Sequence, residues 1–191
     1  MTEILRALLL LGHLTLSHPD TTAIPEVLTR DPRLLAAARV LQATPIGRRV
    51  LGRYAGAGYT VLVAGPESRA ANQYSAFAIA AGRPPAFRTD HEGRWVALMD
   101  TTLPPAAIAV GLTHEIMHVL GGASPGTATM GEEELRAWNV ALDFYYELPE
   151  ALRAEAAPRY EPYARWRREH PADFAATMRC IYPDTPGCQS R

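Results

Sequence analysis

The chain contains no lysine, only two cysteines and no apolar run long enough to cross a bilayer, and each shortage narrows what it can be. All 19 of its Lys+Arg side chains are arginine, and with Ala, Pro and Gly abundant we read this as the signature of a GC-rich coding sequence rather than of function. The formal net charge is -1 and the arginines are spread along the chain, so there is no electrostatic footprint for nucleic acid. Cys180 and Cys188 do not form a Cys-x-x-Cys pair, and no third or fourth cysteine is present to close a structural zinc site. They bracket Ile181 to Gly187, a turn-rich loop that a disulfide would close in an oxidising compartment; two free thiols in a reducing one fit equally well. The apolar run Ala7 to Leu11 is too short for a membrane span. After Arg6 it has the look of a secretory h-region, but Glu3 weakens the basic flank, Gly12 and His13 interrupt the run, and no small-x-small site precedes His18-Pro19. We therefore read an N-terminal core helix ahead of a signal, keep residues 1–30 as a candidate leader or pro-segment, and leave the compartment open.

At 191 residues and 48% hydrophobic content the chain can bury one good core, which implies a single domain over 1–191 with a helical C-terminal portion over 150–191. The most informative stretch is Thr113-His114-Glu115-Ile116-Met117-His118-Val119-Leu120-Gly121. Residues four apart on a helix are separated by about 40° around the axis, so His114 and His118 can reach one metal ion from one face. In a His-Glu-x-x-His arrangement the glutamate, here Glu115, holds and deprotonates a water on the metal. Ala106 to Leu112 leads in as an apolar, helix-compatible segment, and Gly121-Gly122 stands where a helix-ending glycine is expected. The competing reading is of two histidines satisfied by hydrogen bonds on a core helix.

Elsewhere the chain reads as short helices and strands. Pro25 to Leu28 is a short segment; Asp31 before Pro32 opens a helix through Leu41, and Thr44-Pro45 repeats the device for a helix over Ile46 to Tyr54. Tyr59 to Ala64 and Arg94 to Asp100 are β-branched or alternating and read as strands, with Ser75 to Ala80 between them as another. Asp90-His91-Glu92-Gly93 looks like a hairpin turn, in which His91 is read as solvated. Gly122 to Gly131 is a loop, and Glu132 to Tyr146 has the period of an amphipathic helix. Pro149 and Pro158 punctuate the C-terminal portion; Tyr160 to Met178 reads as further helix broken at His170-Pro171, with Arg165, Arg167 and Arg168 on a solvated face.

Zinc held by two histidines and a water needs a third protein ligand. The sequence offers Glu132-Glu133-Glu134 in the first turns of the next helix, where the helix dipole by itself also favours carboxylates. His114-Glu115-Ile116-Met117-His118 followed by Glu134-Leu135-Arg136-Ala137 resembles the gluzincin metallopeptidases, whose downstream glutamate helix often reads Glu-x-x-Ala. Over these two helices the resemblance implies Glu134 as third ligand, with Glu133 as runner-up, Ala137 as the small residue that lets the helices approach, and Trp138 as core. It also implies that Arg94 to Asp100 takes the place of the strand that lines the substrate. The stretch from Thr44 onward is more loosely similar to small bacterial effector-type zinc proteases. The metzincins compete through Gly121 and a faint Met-turn at Thr129-Met130-Gly131, but Ser124 stands where their third ligand would be, and a hydroxyl binds zinc poorly.

The expectation is thus an α+β, zincin-like fold, with a small sheet packed beside the His-Glu-x-x-His helix and the glutamate helix, and flanking helices around them. The expected chemistry is peptide hydrolysis by one Zn²⁺ per chain on His114, His118 and Glu134, with Glu115 as general base and, less favoured, Tyr145 or Tyr146 as a donor to the oxyanion. The expected partner is a peptide or protein substrate, with no nucleic acid and no membrane span. The alternatives are a non-catalytic binding protein that keeps the metal, a metzincin-like peptidase that does not use Glu134, and a helical protein in which the motif is accidental.

Overall fold

The computed structural model of the chain describes residues 22–29, 31–55, 61–64, 97–100, 103–121, 130–181 and 188. Three helices come first: α1 (Glu26–Thr29), α2 (Pro32–Gln42) and α3 (Pro45–Ala55). The short strands β1 (Val61–Ala64) and β2 (Ala97–Asp100) come next, and then α4 (Pro105–Gly121), α5 (Met130–Glu147), α6 (Glu150–Glu169) and α7 (Pro171–Arg179). The expected N-terminal helix, the strand at 75–80, the turn carrying His91, and Gly56 to Gly58, Gly122 and Ser124 lie outside the described residues.

Local chemistry accounts for where the helices begin. The Asp31 carboxylate accepts the Arg33 backbone N–H at 2.8 Å, satisfying one of the orphan donors of α2. Thr44 does the same for α3, its hydroxyl accepting the Gly47 N–H at 3.0 Å. A further orphan donor of α3, Ile46 N–H, is taken by Glu147 Oε2 at 2.8 Å. A glutamate at the end of α5 is disfavoured by that helix's own dipole, and the start of α3 offsets this. α4 begins at Pro105, with the Pro104 carbonyl accepting from Ile108 N–H at 3.0 Å.

α4 is the axis of the molecule. Residues Ala106 to Val110, Leu112, Thr113, Ile116 and Met117 are buried, which is apolar surface around nearly the whole helix. Such a helix must be covered on all sides. α5 covers it most extensively, then α2, with α6, α3 and β2 closing the rest. Thr113 is the polar exception, and its hydroxyl bonds back to the Ala109 carbonyl at 2.9 Å.

The α+β expectation, with a sheet packed beside the active-site helix, is overturned. The described residues form a helical assembly, and β1 and β2 are four residues each, paired in parallel from Val61 with Ala97 to Ala64 with Asp100, with no further strand among the described residues. Two strands of that length are too small to form a layer, and among the described residues the core is built from helix stripes such as Leu34, Ala37, Ala38 and Leu41 on α2. The runs Tyr59 to Ala64 and Arg94 to Asp100, read as strands, do contain β1 and β2; what is overturned is the sheet they were expected to build beside the active-site helix. The break expected at Pro158 is also absent: α6 runs through Pro158 and Pro162 to Glu169. Both prolines are exposed, while Ala156, Tyr160 and Ala164, four apart, form the buried stripe that holds the helix to its neighbours. The break at His170-Pro171 is as expected, α7 starting at Pro171. No described helix is long and apolar enough to cross a membrane.

Packing and capping each set a stability effect. A Cβ on Gly131 would collide with the backbone of Arg179, because the end of α7 lies against the start of α5. Gly131→Ala should cost about 1–3 kcal/mol, read as a lower urea midpoint. The Asp31 carboxyl is held below its ordinary pKa, first by the Arg33 side chain and then by the Arg33 backbone N–H. Its contribution is therefore present above the ordinary carboxylate pKa and is lost as pH falls through the folded value. Asp31→Ala should cost about 1 kcal/mol at neutral pH in the metal-free protein, and the gap from wild type should narrow on acidification.

Candidate metal centre

The helix α4 presents His114 and His118 one turn apart, and α5 crosses it so that Glu134 faces both. His114 Nε2 and His118 Nε2 are 3.0 Å apart. Glu134 Oε1 lies 3.3 Å from His114 Nε2, and Glu134 Oε2 lies 3.1 Å from His118 Nε2. The three side chains offer ligand atoms that all fall within 4.8 Å of one another. Glu134 is buried, and His114 and His118 keep 12% and 13% of their side chains exposed, so the cluster sits just inside the surface.

The arrangement suits a cation better than it suits itself. Atoms about 2.0–2.1 Å from a common tetrahedral ion lie about 3.3–3.4 Å apart, so these distances need shifts of only a few tenths of an ångström. Two ring nitrogens facing each other at hydrogen-bond distance can share only one proton, and Glu134 Oε2 is buried without a hydrogen bond among the described residues. Nδ1 of each histidine is also buried with no partner among them, and an ion at Nε2 would not contact it. Buried polar atoms in that state are costly unless something else binds them. The His114, His118 and Glu134 group can hold a metal ion, and its two nitrogens and one oxygen are a donor set that zinc accepts.

Electrostatics follow from the burial. Burial pushes the Glu134 carboxyl up, but His114 and His118 outweigh it and hold the group well below the usual carboxylate range. Burial pulls His118 down, and the Glu134 and Glu115 carboxylates more than reverse that, leaving it raised. Glu115, one residue from His114 and 4.0 Å from its Nε2, is raised by its own burial against the opposing pull of the two histidines.

The three consecutive glutamates have three different fates. Glu132 is exposed and accepts from Arg179 Nε at 2.5 Å. Glu133 is buried against Arg136 and the end of α4, where a Cβ on Gly121 would overlap its carboxylate. Glu134 alone joins the histidines among these three. Gly121 is the last residue of α4, where the sequence expected the helix to end, and it also serves a close helix approach. Met130 and Gly131, the faint Met-turn, form the first turn of α5.

Some side chains take roles that the sequence did not suggest. Trp138, expected to be core, donates its indole N–H to Glu134 Oε1 at 2.9 Å, and its ring meets His114 edge-on at 4.9 Å. Their i, i+4 spacing on α5 was the available signal. The Tyr145 hydroxyl is spent on Glu161 at 2.7 Å and that of Tyr146 accepts from Arg168, so both tyrosines tie α5 to α6 and leave the metal cluster to others. Arg167, read as solvated, reaches the Asn139 carbonyl at 2.9 Å and Asp143 at 2.7 Å across the same seam. Cys180 and Cys188 are joined in a disulfide.

Compared with family models, with characterised proteins and with solved structures, the chain matches none. The chemistry of the site therefore rests on its own geometry. Glu134→Ala should weaken metal binding by more than the ~10–100-fold that outer-shell changes cost, while Glu133→Ala should leave it nearly intact. Chelator competition on both variants checks this, and the reverse order would move the third ligand by one residue.

Proposed function

We propose that the chain is a zinc-dependent metallopeptidase that binds one Zn²⁺ through His114, His118 and Glu134. The observation that carries the reading is the convergence of those three ligand groups from two helices, with the buried Glu115 carboxylate one residue from the first histidine. Two histidines and a glutamate are the donor set of catalytic zinc sites with an open fourth position. The resemblance of His114 to His118 and of Glu134 to Ala137 to the gluzincins supports the same chemistry. It is a likeness of site and not of fold.

A zinc ion held there would supply a Lewis acid for the scissile carbonyl and bring the pKa of a bound water to roughly 7. The residues do the rest. Glu115 takes the proton of the attacking water and passes it to the leaving amine, as a base held within reach of both can. His114 and His118 would hold the ion through Nε2, and the Glu134 carboxylate would offset part of its charge. The substrate class is peptide, since the amide leaving group is what a Glu115 proton shuttle serves.

Protein purified without a histidine tag and without added metal should contain close to one zinc per chain by elemental analysis. Glu115→Gln should retain that zinc and lose hydrolysis of a quenched peptide library by about 10²–10⁴-fold. Near-normal turnover in this variant would remove the general-base role. Zinc without turnover in the wild type would leave a metal-binding protein, and absence of zinc after it is offered at neutral pH would end the enzyme reading.

A further inference from the structure

We propose that Trp138 is a positioning residue of the metal site, whose indole N–H occupies Oε1 of Glu134 so that Oε2 alone is presented to the ion. The inference rests on reading His114, His118 and Glu134 as a metal site, and it concerns how that site is shaped. The two oxygens of the Glu134 carboxylate are not equivalent. Both face a histidine, Oε1 at 3.3 Å from His114 Nε2 and Oε2 at 3.1 Å from His118 Nε2, but Oε1 also accepts the Trp138 N–H at 2.9 Å, whereas Oε2 is buried and makes no hydrogen bond among the described residues. A carboxylate with one oxygen satisfied and the other bare is prepared to bind through the bare one.

Trp138 suits this task chemically. An indole N–H can only donate, so it cannot compete as a ligand or take a proton from one. It sits one turn beyond Glu134 on α5, so the helix sets its reach. Its ring is held from both sides: Tyr163 of α6 stacks on it with centroids 4.6 Å apart at 27°, and His114 meets it edge-on at 4.9 Å and 61°. One side chain thus braces two of the three ligands and is itself clamped by a helix that carries none. Outer-shell groups that fix a ligand in this way are commonly as necessary to affinity as the ligand's own orientation. The consequence is a count: holding Oε1 keeps the carboxylate from embracing the ion with both oxygens and leaves a position free for water.

The test uses the full chain loaded with cobalt(II) and with zinc. Trp138→Phe keeps an aromatic ring near Tyr163 and His114 and removes the N–H together with the five-membered half of the indole. Expected are zinc affinity lower by about 10–100-fold in chelator competition, a changed cobalt visible spectrum as the second carboxylate oxygen joins, and a metal-free protein that still melts cooperatively, a few degrees lower at most. Wild-type affinity together with a wild-type cobalt spectrum would overturn the proposal, as would a loss of metal-free stability with the spectrum unaltered. A second measurement needs no variant at position 138. In wild-type protein with ¹⁵N-tryptophan, the indole resonance that survives Trp95→Phe and Trp166→Phe should stay protected from solvent exchange with zinc bound; loss of protection would overturn the assignment. If wild-type protein takes up neither zinc nor cobalt, the metal reading fails first and is recognised as such.

Discussion

The approach of α4 and α5 is the constraint on which the His114, His118 and Glu134 group depends. Ligand atoms on two different helices meet within about a hydrogen bond's length only if the backbones come close, and backbones come close only where side chains are small. Gly121 on α4 is one such place, since the Glu133 carboxylate of α5 occupies the space of a side chain there, and Ala137 and Ala141 of α5 are small and fully buried. Were the helices held further apart, Glu134 would still be a buried carboxylate but would no longer face two imidazoles. The packing of α4 by α2, α3 and α6 then becomes part of the site, because it leaves α4 no direction in which to yield.

The same closeness makes the cluster expensive without a cation. Glu115, Glu133 and Glu134 are all buried, and a buried carboxylate costs several kcal/mol unless charge or hydrogen bonds compensate it. Glu133 has Arg136 beside it; Glu134 has two histidines and an indole N–H. The histidines compensate Glu134 fully only when they carry protons, yet their nitrogens then repel each other at 3.0 Å. A divalent ion removes the conflict, since it satisfies both nitrogens and the carboxylate together. That conflict is a stronger pointer to metal than the proximity of the groups, because a purely structural cluster would have been free to resolve it by rotating a ring.

How much of this was legible in the sequence depended on whether the signal was local. His114, Glu115 and His118 share a helix, so their geometry follows from a fixed period, and Asp31, Thr44 and Pro171 mark helix starts by chemistry that acts over three residues. Choosing Glu134 over Glu133 needed the phase of α5 against α4, which the Glu-x-x-Ala likeness suggested and the contacts of Glu133 with Arg136 and Gly121 explain. Val61 to Ala64 and Ala97 to Asp100 are strands as read, but a sheet packed beside the active-site helix was too much to build on them, because whether short strands gather into a layer is decided by tertiary pairing and not by the period of either run. Pro158 misled for a related reason: the packing of Tyr160 and Ala164, which decides whether a helix continues, is tertiary. Trp138 packs against the core as expected, and its hydrogen bond to Glu134 is the part that composition and period did not announce.

Helices α6 and α7 contribute nothing to the His114, His118 and Glu134 group, yet they fix α5, which carries Glu134. The end of α7 lies with its Arg179 backbone against Gly131, its Arg179 side chain on Glu132 and, just beyond, the Cys180 to Cys188 link, whose Cys188 sulfur approaches the Arg179 carbonyl at 3.7 Å. The two Arg179 contacts fall within the first turn of α5, immediately before Glu134. At the other end of α5, Glu147 is tied to the start of α3, and Tyr145, Tyr146, Asn139 and Asp143 are tied to α6. α5 is thus restrained at both ends and along one side by elements remote from the metal centre. A rigid mount of this kind is what a three-ligand site requires, because an error of about an ångström in the placement of a single carboxylate separates a shaped site from a loose one.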